Sequence, residues 1–208
     1  MKYGSISTGS TEALNTAKQI FEEGTLFPST YFYVYGTNSN IIINNMKKRM
    51  KSTLIEAWKN RDKDLDLNNY NDVLILASII EKETSLNYEK SGIAQVFLNR
   101  LRLNMKLQAD PTVIYGIENE LGIKKKELTK NDLNHKSSFN TYLIHGLPKG
   151  PICNPGKESI IAVTNPSKGD LLYFVADGEG GHNFSLNYQE HIENVKKFKE
   201  FIREKYEN

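Results

Sequence analysis

The feature that most constrains the fold is a segment whose first turns are apolar on almost every side. Residues 73–80 read Val-Leu-Ile-Leu-Ala-Ser-Ile-Ile. A helix that is apolar all round is normally buried in the centre of a domain. The pattern therefore predicts a central helix from about Asp72 to Leu86, around which the rest of the chain packs.

Further elements are indicated on both sides of this helix. A second helix is predicted directly after it, from about Tyr88 to Leu103, because apolar residues recur there at helical spacing. Upstream, residues 31–35 are aromatic or β-branched and predict a strand. One of residues 38–40 can cap a long helix that reaches Trp58, and a short amphipathic helix is predicted over residues 10–23.

The last third of the chain predicts a helix, a hairpin and a closing helix. The helix spans residues 157–164, and the hairpin joins strands at 171–176 and 182–184 through a glycine-rich turn. A charged helix follows over residues 188–206. Together these elements predict a helix-rich α+β fold with short antiparallel strands.

The region between residues 108 and 156 is repeatedly interrupted by proline and glycine. Only short elements are expected there, because proline breaks helix interiors and both residues favour turns. A long irregular region in a compact domain is more often a binding surface than a plain connector. We therefore expect ligand-facing residues in this stretch.

Length and composition limit the class of protein. A chain of 208 residues suffices for one domain, or for a small domain attached to a larger one. The polar run at residues 60–71 is the best boundary, which divides the chain into residues 1–65 and 66–208. A net charge of +2 is too small for a nucleic-acid partner, and no stretch approaches the roughly 20 apolar residues of a membrane helix.

Glu83 is the strongest candidate for chemistry. On a helix it lies three and seven residues after Ile80 and Leu76, so its carboxylate projects from an apolar stripe. Loss of hydration there raises the pKa of a carboxyl group toward the range useful for a general acid. The neighbouring acid Glu81 points elsewhere. The alternative is a solvated or salt-bridged acid in the last helical turn, which is the commoner role for an acid at such a position.

Other reactive groupings have less support. Ordinary glycosidases use two carboxylates, and Asp110 is the obvious second acid, although the sequence does not fix its distance from Glu83. The lone Cys153 is more often inert than nucleophilic. No cofactor or metal is expected, since the four histidines lack zinc-type spacing. The glycine-rich run at 177–181 joins two strands and is a hairpin turn, not a phosphate loop.

A series of motifs follows the chain from the central helix to the hairpin. The motifs are Ala77-Ser-Ile-Ile-Glu-Lys-Glu-Thr84, Val96-Phe-Leu-Asn-Arg-Leu101, Leu107-Gln-Ala-Asp-Pro-Thr-Val-Ile-Tyr-Gly116, Asn140-Thr-Tyr142, Gly146-Leu-Pro148, Pro151-Ile-Cys-Asn-Pro-Gly156 and Tyr173-Phe-Val-Ala-Asp-Gly-Glu-Gly-Gly-His-Asn-Phe-Ser185. In this order they resemble a known family, the MltG (YceG-like) endolytic murein transglycosylases. The likeness is dense from about residue 74 to 190 and continues more weakly upstream at 24–31. Two positions depart from the family pattern: Phe139 replaces a frequent tyrosine, and Ser29 replaces the usual aspartate.

The resemblance implies both a reaction and a place in the cell. The reaction is cleavage of the bond between N-acetylmuramic acid and N-acetylglucosamine in peptidoglycan, with the muramyl C6 hydroxyl replacing water and leaving a 1,6-anhydro end. Glu83 matches the catalytic position and would serve as both acid and base. The location is the inner membrane, with one N-terminal anchor helix, a LysM-like part at residues 1–65 and a catalytic domain facing the periplasm. Most of the LysM-like part and the anchor would lie outside this chain.

The resemblance also carries substrate-binding positions. These are Gln108, Asp110, Tyr115, Asn140, Tyr142, Asn154, Asp177 and His182. Glycan strands are the expected partner, with peptidoglycan synthases as a further one. Two alternatives stay open. One is a muramidase-type hydrolase in which Asp110 or Glu81 activates water. The other is a non-catalytic peptidoglycan-binding module in which aromatic residues such as Tyr142 and Tyr173 stack on sugars.

Overall fold

Six α-helices and two small antiparallel sheets make up the part of the chain that the computed structural model describes, which is residues 3–7 and 22–206. The elements are β1 (Tyr3–Ser7), β2 (Thr30–Val34), α1 (Ser39–Lys59), α2 (Tyr70–Glu83), α3 (Lys90–Arg102), α4 (Asp110–Leu121), α5 (Lys157–Thr164), β3 (Tyr173–Ala176), β4 (His182–Ser185) and α6 (Tyr188–Tyr206). Strand β1 pairs with β2, and β3 pairs with β4. The predicted helix-rich α+β class with short antiparallel strands is confirmed.

Helix α2 is the central helix that the apolar run predicts. Its start is capped by Asn69, whose side chain accepts the backbone N–H groups of Asn71 and Asp72 at 2.8 and 3.3 Å. Its end comes at Thr84, where the backbone becomes extended. The helix thus stops at Glu83, three residues before the predicted end at Leu86.

The main core lies between α2, α3 and α5, which pack against one another. Its largest fully buried side chains come mainly from these helices: Phe97, Leu76, Ile79, Ile80, Ile93, Leu107, Ile160, Val73, Val96, Val113 and Val163. Met50 and Leu54 in the second half of α1 join this core, whereas Ile42 and Met46 in its first half form a second cluster with Leu26. Helix α1 therefore links the N-terminal strands to the main body.

The prediction of only short elements between residues 108 and 156 is wrong at α4. This helix runs over 12 residues despite Pro111 and Gly116. Pro111 is in the first turn, where a missing N–H breaks no helical hydrogen bond. Gly116 permits close packing, because a Cβ atom there would lie 2.7 Å from the Ser137 hydroxyl oxygen. Both helix-breaking residues are accommodated for these local reasons.

Ser78 on α2 anchors the proline-rich loop around residues 151–156. It is fully buried, and its hydroxyl accepts the Ile152 N–H at 3.0 Å. Its backbone carbonyl accepts a hydrogen bond from the Cys153 thiol at 3.2 Å. The one polar residue in the apolar run therefore fixes this loop against the central helix.

The β3–β4 hairpin and α6 close the fold. Gly178 and Gly180 in the turn have φ angles of 92° and 100°, which side chains other than glycine rarely adopt. At Gly178 a Cβ atom would also meet the Phe201 ring of α6 at 2.2 Å. The glycine-rich run is thus a hairpin turn beneath the last helix, as its context in the sequence predicts.

Two sequence predictions concern parts that the structure does not test. The predicted amphipathic helix over residues 10–23 falls largely on residues 8–21, which lie outside the described residues. The division at residue 65 and the LysM-like assignment remain predictions. Within the described residues, no helix is both long enough and apolar enough to cross a membrane.

Candidate active site

Glu83 lies at the carboxyl end of α2, where the core meets the surface. Leu76, Ile79 and Ile80, which precede it on the same face of the helix, are fully buried. Protein atoms surround the Glu83 carboxyl group, although the residue keeps partial solvent access. A group in this position can meet a ligand from solvent while lacking most of its own hydration.

Burial shifts the acid–base behaviour of this carboxyl group. It raises the pKa of Glu83 to about 8, with the nearby negative charge of Asp110 as a second cause and the positive charge of Arg100 opposing them. A carboxyl group with this pKa is mostly protonated at neutral pH. Glu83 therefore has the protonation state that a general acid requires.

Glu81 is held in a different environment. Its carboxylate accepts hydrogen bonds from Lys90 Nζ at 3.1 Å, from the Gly156 N–H at 3.2 Å and from the Ser159 hydroxyl. Burial alone would raise its pKa, but the Ser159 hydrogen bond and the Lys90 charge hold the pKa of Glu81 below its usual value. Glu81 is thus an ionised group whose partners join α2 to α3 and α5.

Arg100 on α3 is a cation within electrostatic range of this acid. The residue is 8% exposed, and its guanidinium donates to the carbonyls of Leu172 at 2.8 Å and Leu107 at 2.7 Å. It also lies 5.3 Å from the centre of the Tyr173 ring. Burial lowers the pKa of Arg100, while the charge of Glu83 is among the influences that raise it. The guanidinium is therefore fixed by backbone carbonyls within electrostatic range of the acid.

Arg100 is not among the predicted site residues, although its position carries the same signal as that of Glu83. It lies three residues after Phe97 and seven after Ile93, both of which are fully buried. A charged residue in an apolar helical stripe needs a specific environment, because burial of an unpaired charge is costly. That pattern identifies Arg100 once the helix is assigned.

Asp110 and Tyr142 form the other side of the site. The Tyr142 hydroxyl donates to Asp110 Oδ1 at 2.5 Å. Burial, this hydrogen bond and the negative charges of Asp110 and Glu83 all raise the pKa of Tyr142, so its hydroxyl stays protonated. Asp110 is the first residue of α4 and is exposed. The structure thus brings Glu83, Asp110, Tyr142 and Arg100 together.

Gln108 is held beside Asp110 by an unusual backbone conformation. Its φ angle is 51°, in the left-handed region, and its N–H donates to the Thr141 carbonyl at 3.1 Å. The Ala109 N–H donates to the Thr141 hydroxyl at 2.9 Å. Gln108 is exposed, so this pairing presents its side chain to solvent next to the acid site.

Asn140 lies beneath the surface and supports this pairing. It is fully buried, and its amide nitrogen donates to the carbonyls of Leu133 at 3.0 Å and His135 at 2.8 Å. Its side-chain oxygen accepts the Tyr142 N–H at 2.9 Å. These bonds let Asn140 orient the backbone of Tyr142, and its part in substrate binding stays a prediction.

Tyr115 and Asn154 also make contacts within the protein. Tyr115 packs edge-on against Phe139, with ring centres 4.8 Å apart, and burial raises the pKa of Tyr115 to about 12. The Asn154 side-chain oxygen accepts the Leu26 N–H at 2.9 Å, which ties the proline-rich loop to the N-terminal segment. The structure does not join either residue to Glu83 by a direct contact.

Asp177 and His182 belong to the hairpin. Asp177 accepts the N–H groups of Glu179 and Gly181 at 2.8 and 2.9 Å, and these bonds lower the pKa of Asp177. The backbone N–H of His182 donates to Oε1 of the buried Glu89 at 2.8 Å, and His182 Nδ1 lies 2.8 Å from the other oxygen, Oε2. Both predicted residues therefore have protein partners that stabilise the hairpin, and their part in substrate binding stays a prediction.

The remaining reactive groups are not arranged for catalysis. Burial raises the pKa of the Cys153 thiol to about 12, so it is protonated and poorly nucleophilic. His145 Nδ1 lies 3.0 Å from the Asn104 carbonyl, and His135 Nε2 lies 3.0 Å from Glu120. In residues 3–7 and 22–206, no three His, Cys, Asp or Glu side chains are grouped closely enough to hold a metal ion.

Sequence comparison relates the chain to proteins of the bacterial cell wall. The profile of the YceG-like family matches residues 4–197. The endolytic murein transglycosylase of Bacillus subtilis (strain 168) is 38% identical over 177 residues, which cover 85% of this chain and 48% of that protein. The endolytic murein transglycosylase of Streptococcus pneumoniae serotype 2 (strain D39) is 35% identical over 177 residues, which cover 83% of this chain and 31% of that protein. The chain therefore spans half or less of these relatives.

A solved structure shares the fold. The crystal structure of a putative YceG-like protein from Listeria monocytogenes superimposes with a TM-score of 0.70 at 38% sequence identity. The match covers 82% of this chain and 54% of the Listeria chain. The overall fold is thus shared with that protein.

Proposed function

The chain belongs to the YceG-like family, and on that premise we propose that it is an endolytic murein transglycosylase acting on peptidoglycan glycan strands. The observation that carries the proposal is the Glu83 carboxyl group, whose pKa of about 8 keeps it protonated at the end of a buried helix. Its neighbours Asp110, Arg100 and Tyr142 frame the space where a sugar would bind. The curated relatives supply the class of reaction.

In the first step Glu83 acts as a general acid. It donates its proton to the oxygen that joins N-acetylmuramic acid to N-acetylglucosamine, and the bond between that oxygen and the muramyl C1 breaks. The N-acetylglucosamine side leaves with a new hydroxyl group. The muramyl ring develops positive charge, which the newly formed Glu83 carboxylate stabilises by proximity.

In the second step the Glu83 carboxylate acts as a base. It removes the proton of the muramyl C6 hydroxyl, and the C6 oxygen attacks C1 to close the 1,6-anhydro ring. Glu83 then carries a proton again, so one carboxyl group completes the cycle and no water is consumed. A second nucleophilic carboxylate is not required.

Asp110 and Arg100 adjust the two halves of this cycle. The negative charge of Asp110 favours the protonated form of Glu83, which the first step needs. The positive charge of Arg100 favours the carboxylate form, which the second step needs. The opposite effects of these two charges on the pKa of Glu83 allow the carboxyl group to be protonated in the first step and ionised in the second.

A muramidase-type hydrolase is the second candidate function. The observation that favours it is the presence of Asp110 within electrostatic range of Glu83, since an inverting glycosidase pairs an acid with a carboxylate that activates water. Against this role, Asp110 accepts a short hydrogen bond from the Tyr142 hydroxyl. Glu81 is a poorer base still, because Lys90 and Ser159 occupy its carboxylate.

The wider context of the protein follows from the family. We propose that the chain is the envelope-facing part of an inner-membrane protein, that an N-terminal helix anchors it, and that residues 1–65 include part of a LysM-like unit. In this setting the proposed substrate-binding face comprises Gln108, Asp110, Tyr115, Asn140, Tyr142, Asn154, Asp177 and His182, within which Asn140 also orients the backbone of Tyr142. Peptidoglycan synthases are the proposed protein partners, and a pull-down that enriches none of them would contradict this.

Product analysis distinguishes the candidate functions. Purified, uncrosslinked glycan strands are incubated with the parent chain, and the new ends are identified by mass spectrometry. Anhydromuramyl ends from the parent chain, and none from Glu83→Gln, are expected. Reducing ends would identify a hydrolase, and an absence of new ends from the parent chain would contradict both enzymatic functions.

Glu81→Gln is the matched control for this experiment. It makes the same chemical change two residues before Glu83 on the same helix. The Glu81 carboxylate, however, accepts hydrogen bonds from Lys90, Gly156 and Ser159. Anhydromuramyl ends should persist in Glu81→Gln. Their loss in Glu81→Gln and persistence in Glu83→Gln would reverse the assignment of the acid.

A further inference from the structure

Three aromatic rings from β3 and α6 lie together beside the acid site. The Tyr173 and His191 rings are stacked, with centres 5.1 Å apart and planes inclined by 23°. The Tyr188 ring lies 6.0 Å from Tyr173 and 6.3 Å from His191. We call these three residues the aromatic triplet. Tyr188 and His191 are not among the predicted site residues, and the sequence names Tyr173 only for the alternative of a non-catalytic binding module.

Arg100 connects the aromatic triplet to the acid. Its guanidinium lies 5.3 Å from the centre of the Tyr173 ring. The same guanidinium is within electrostatic range of Glu83 and Tyr142. Arg100 therefore lies within range of both the Glu83 carboxyl group and the Tyr173 ring of the aromatic triplet.

The outer ring of the triplet is open to solvent. Tyr188 is 62% exposed, although it is a large aromatic residue in contact with two other rings. Tyr173 and His191 are half-buried behind it. A tyrosine used only for core packing would bury most of its ring, so the triplet presents an aromatic surface that the described part of the chain leaves uncovered.

His191 adds a hydrogen-bonding group to this surface. Among the described residues, its buried Nδ1 atom has no hydrogen-bond partner. The tautomer with the proton on Nε2 avoids burying an unsatisfied donor, so Nε2–H is the form that the environment favours. Burial and the nearby Arg100 charge lower the pKa of His191, which keeps the ring neutral. The triplet thus combines flat rings with a neutral imidazole.

We propose that the aromatic triplet of Tyr173, Tyr188 and His191 is a sugar-binding subsite that holds the glycan strand next to the bond positioned at Glu83. Sugar rings have an apolar face of C–H groups that packs on aromatic rings, and an edge of hydroxyl and acetamido groups that accepts hydrogen bonds. The triplet offers aromatic faces for the first kind of contact, and the neutral imidazole of His191 offers a ring nitrogen for the second. This inference rests on the proposed function for its ligand, which is an uncrosslinked glycan strand.

The test measures binding without turnover. Purified, uncrosslinked glycan strands are titrated into the Glu83→Gln variant by calorimetry, and the titration is repeated with Tyr188→Ala or Tyr188→Phe added. Tyr188→Ala should weaken binding about three- to tenfold, which is the range that aromatic contacts contribute. Tyr188→Phe should bind as tightly as Glu83→Gln alone, because it keeps the ring.

Leu121→Ala is the control, since Leu121 is 56% exposed and lies at the opposite end of α4 from Asp110. It should leave the affinity unchanged. Equal affinity with and without the Tyr188 ring would overturn the subsite, as would a loss in Tyr188→Phe as large as in Tyr188→Ala. Because Tyr188 is largely exposed, its truncation should leave the melting temperature of the chain unchanged, which the same samples can verify.

The subsite and the proposed function can fail separately. If the parent chain produces anhydromuramyl ends and Tyr188→Ala does not change the affinity, the subsite proposal is contradicted and the proposed enzymatic function is supported. If Tyr188→Ala binds more weakly and the parent chain produces no new ends, the subsite proposal is supported and the transglycosylase function is contradicted.

Discussion

Glu81 and Glu83 are separated by one residue on α2, yet their pKa values are shifted in opposite directions. The Glu81 carboxylate gains Lys90 and Ser159 as partners, which hold its pKa below the usual value. Glu83 loses hydration and gains Asp110 as a negatively charged neighbour, so its pKa rises to about 8. Residues two apart on a helix point to different faces, and here each face meets a different electrostatic environment.

The first prediction concerns the pH dependence of cleavage. If Glu83 must be protonated, kcat/KM should fall as the pH rises through about 8, because this ratio reports the free enzyme. We call this fall the descending limb of the plot of kcat/KM against pH. Asp110→Asn removes a negative charge that opposes ionisation of Glu83, so the pKa of Glu83 falls and the descending limb moves to lower pH. Burial is the larger cause of the shift, so the limb should stay above the ordinary glutamate value of 4.5.

Asp66→Asn is the matched control for that profile. Asp66 is exposed in the connector between α1 and α2. Its replacement should leave the descending limb in place. A limb that does not move in Asp110→Asn, or one that moves equally in both variants, would contradict the electrostatic role of Asp110.

The second prediction concerns stability. Glu83 has a pKa of about 8 in the folded chain against an ordinary value of 4.5. Between these two pH values the Glu83 carboxyl group is ionised in the unfolded chain and protonated in the folded chain. The free energy of unfolding therefore decreases as the pH rises from about 5 to about 8, by a few kcal/mol at most. Glu83→Gln cannot ionise, so its stability relative to the parent should increase from about pH 5 to pH 8. Urea unfolding at both pH values measures this, and parallel pH curves for the two proteins would contradict it.

The sequence predicts the position of Glu83 and most of the fold for one physical reason. Hydrophobic periodicity is a local property, so it identifies α2, α3 and α6 and shows that Glu83 projects from an apolar stripe. The family match and the relatives confirm the resemblance that the motifs carry. Arg100 occupies a similar stripe on α3, so the same reasoning is able to find it.

Other parts of the site depend on contacts that no local pattern contains. The amide of Asn140 is consumed by the carbonyls of Leu133 and His135 and by the Tyr142 N–H, which only the folded loop brings together. Gly116 in α4 leaves room for Ser137 to pack closely against the helix, a contact between residues 21 positions apart that no local pattern contains. The aromatic triplet likewise joins β3 to α6 through tertiary packing.

The third prediction concerns Arg100→Met, which removes a buried charge at nearly constant length. The carbonyls of Leu107 and Leu172 lose their donor, so the chain should be destabilised by roughly 2–5 kcal/mol. Because Arg100 lowers the pKa of Glu83, the descending limb of the pH profile should move to higher pH, opposite to the effect of Asp110→Asn. The exposed neighbour Arg102 provides the control variant Arg102→Met. A shift of the limb to lower pH in Arg100→Met would refute this assignment.

The last prediction concerns Asn140, the buried support of Tyr142. Asn140→Ala leaves two buried carbonyls without a donor and the Tyr142 N–H without an acceptor, so we expect a loss of roughly 2–4 kcal/mol of stability. Asn140→Asp keeps the acceptor but places acceptor oxygens against the Leu133 and His135 carbonyls, so it should rescue little of that loss. Chemical unfolding measures both variants. Stability equal to that of the parent in Asn140→Ala would mean that these bonds do not hold the loop, and Asn140 would then be free to bind substrate directly.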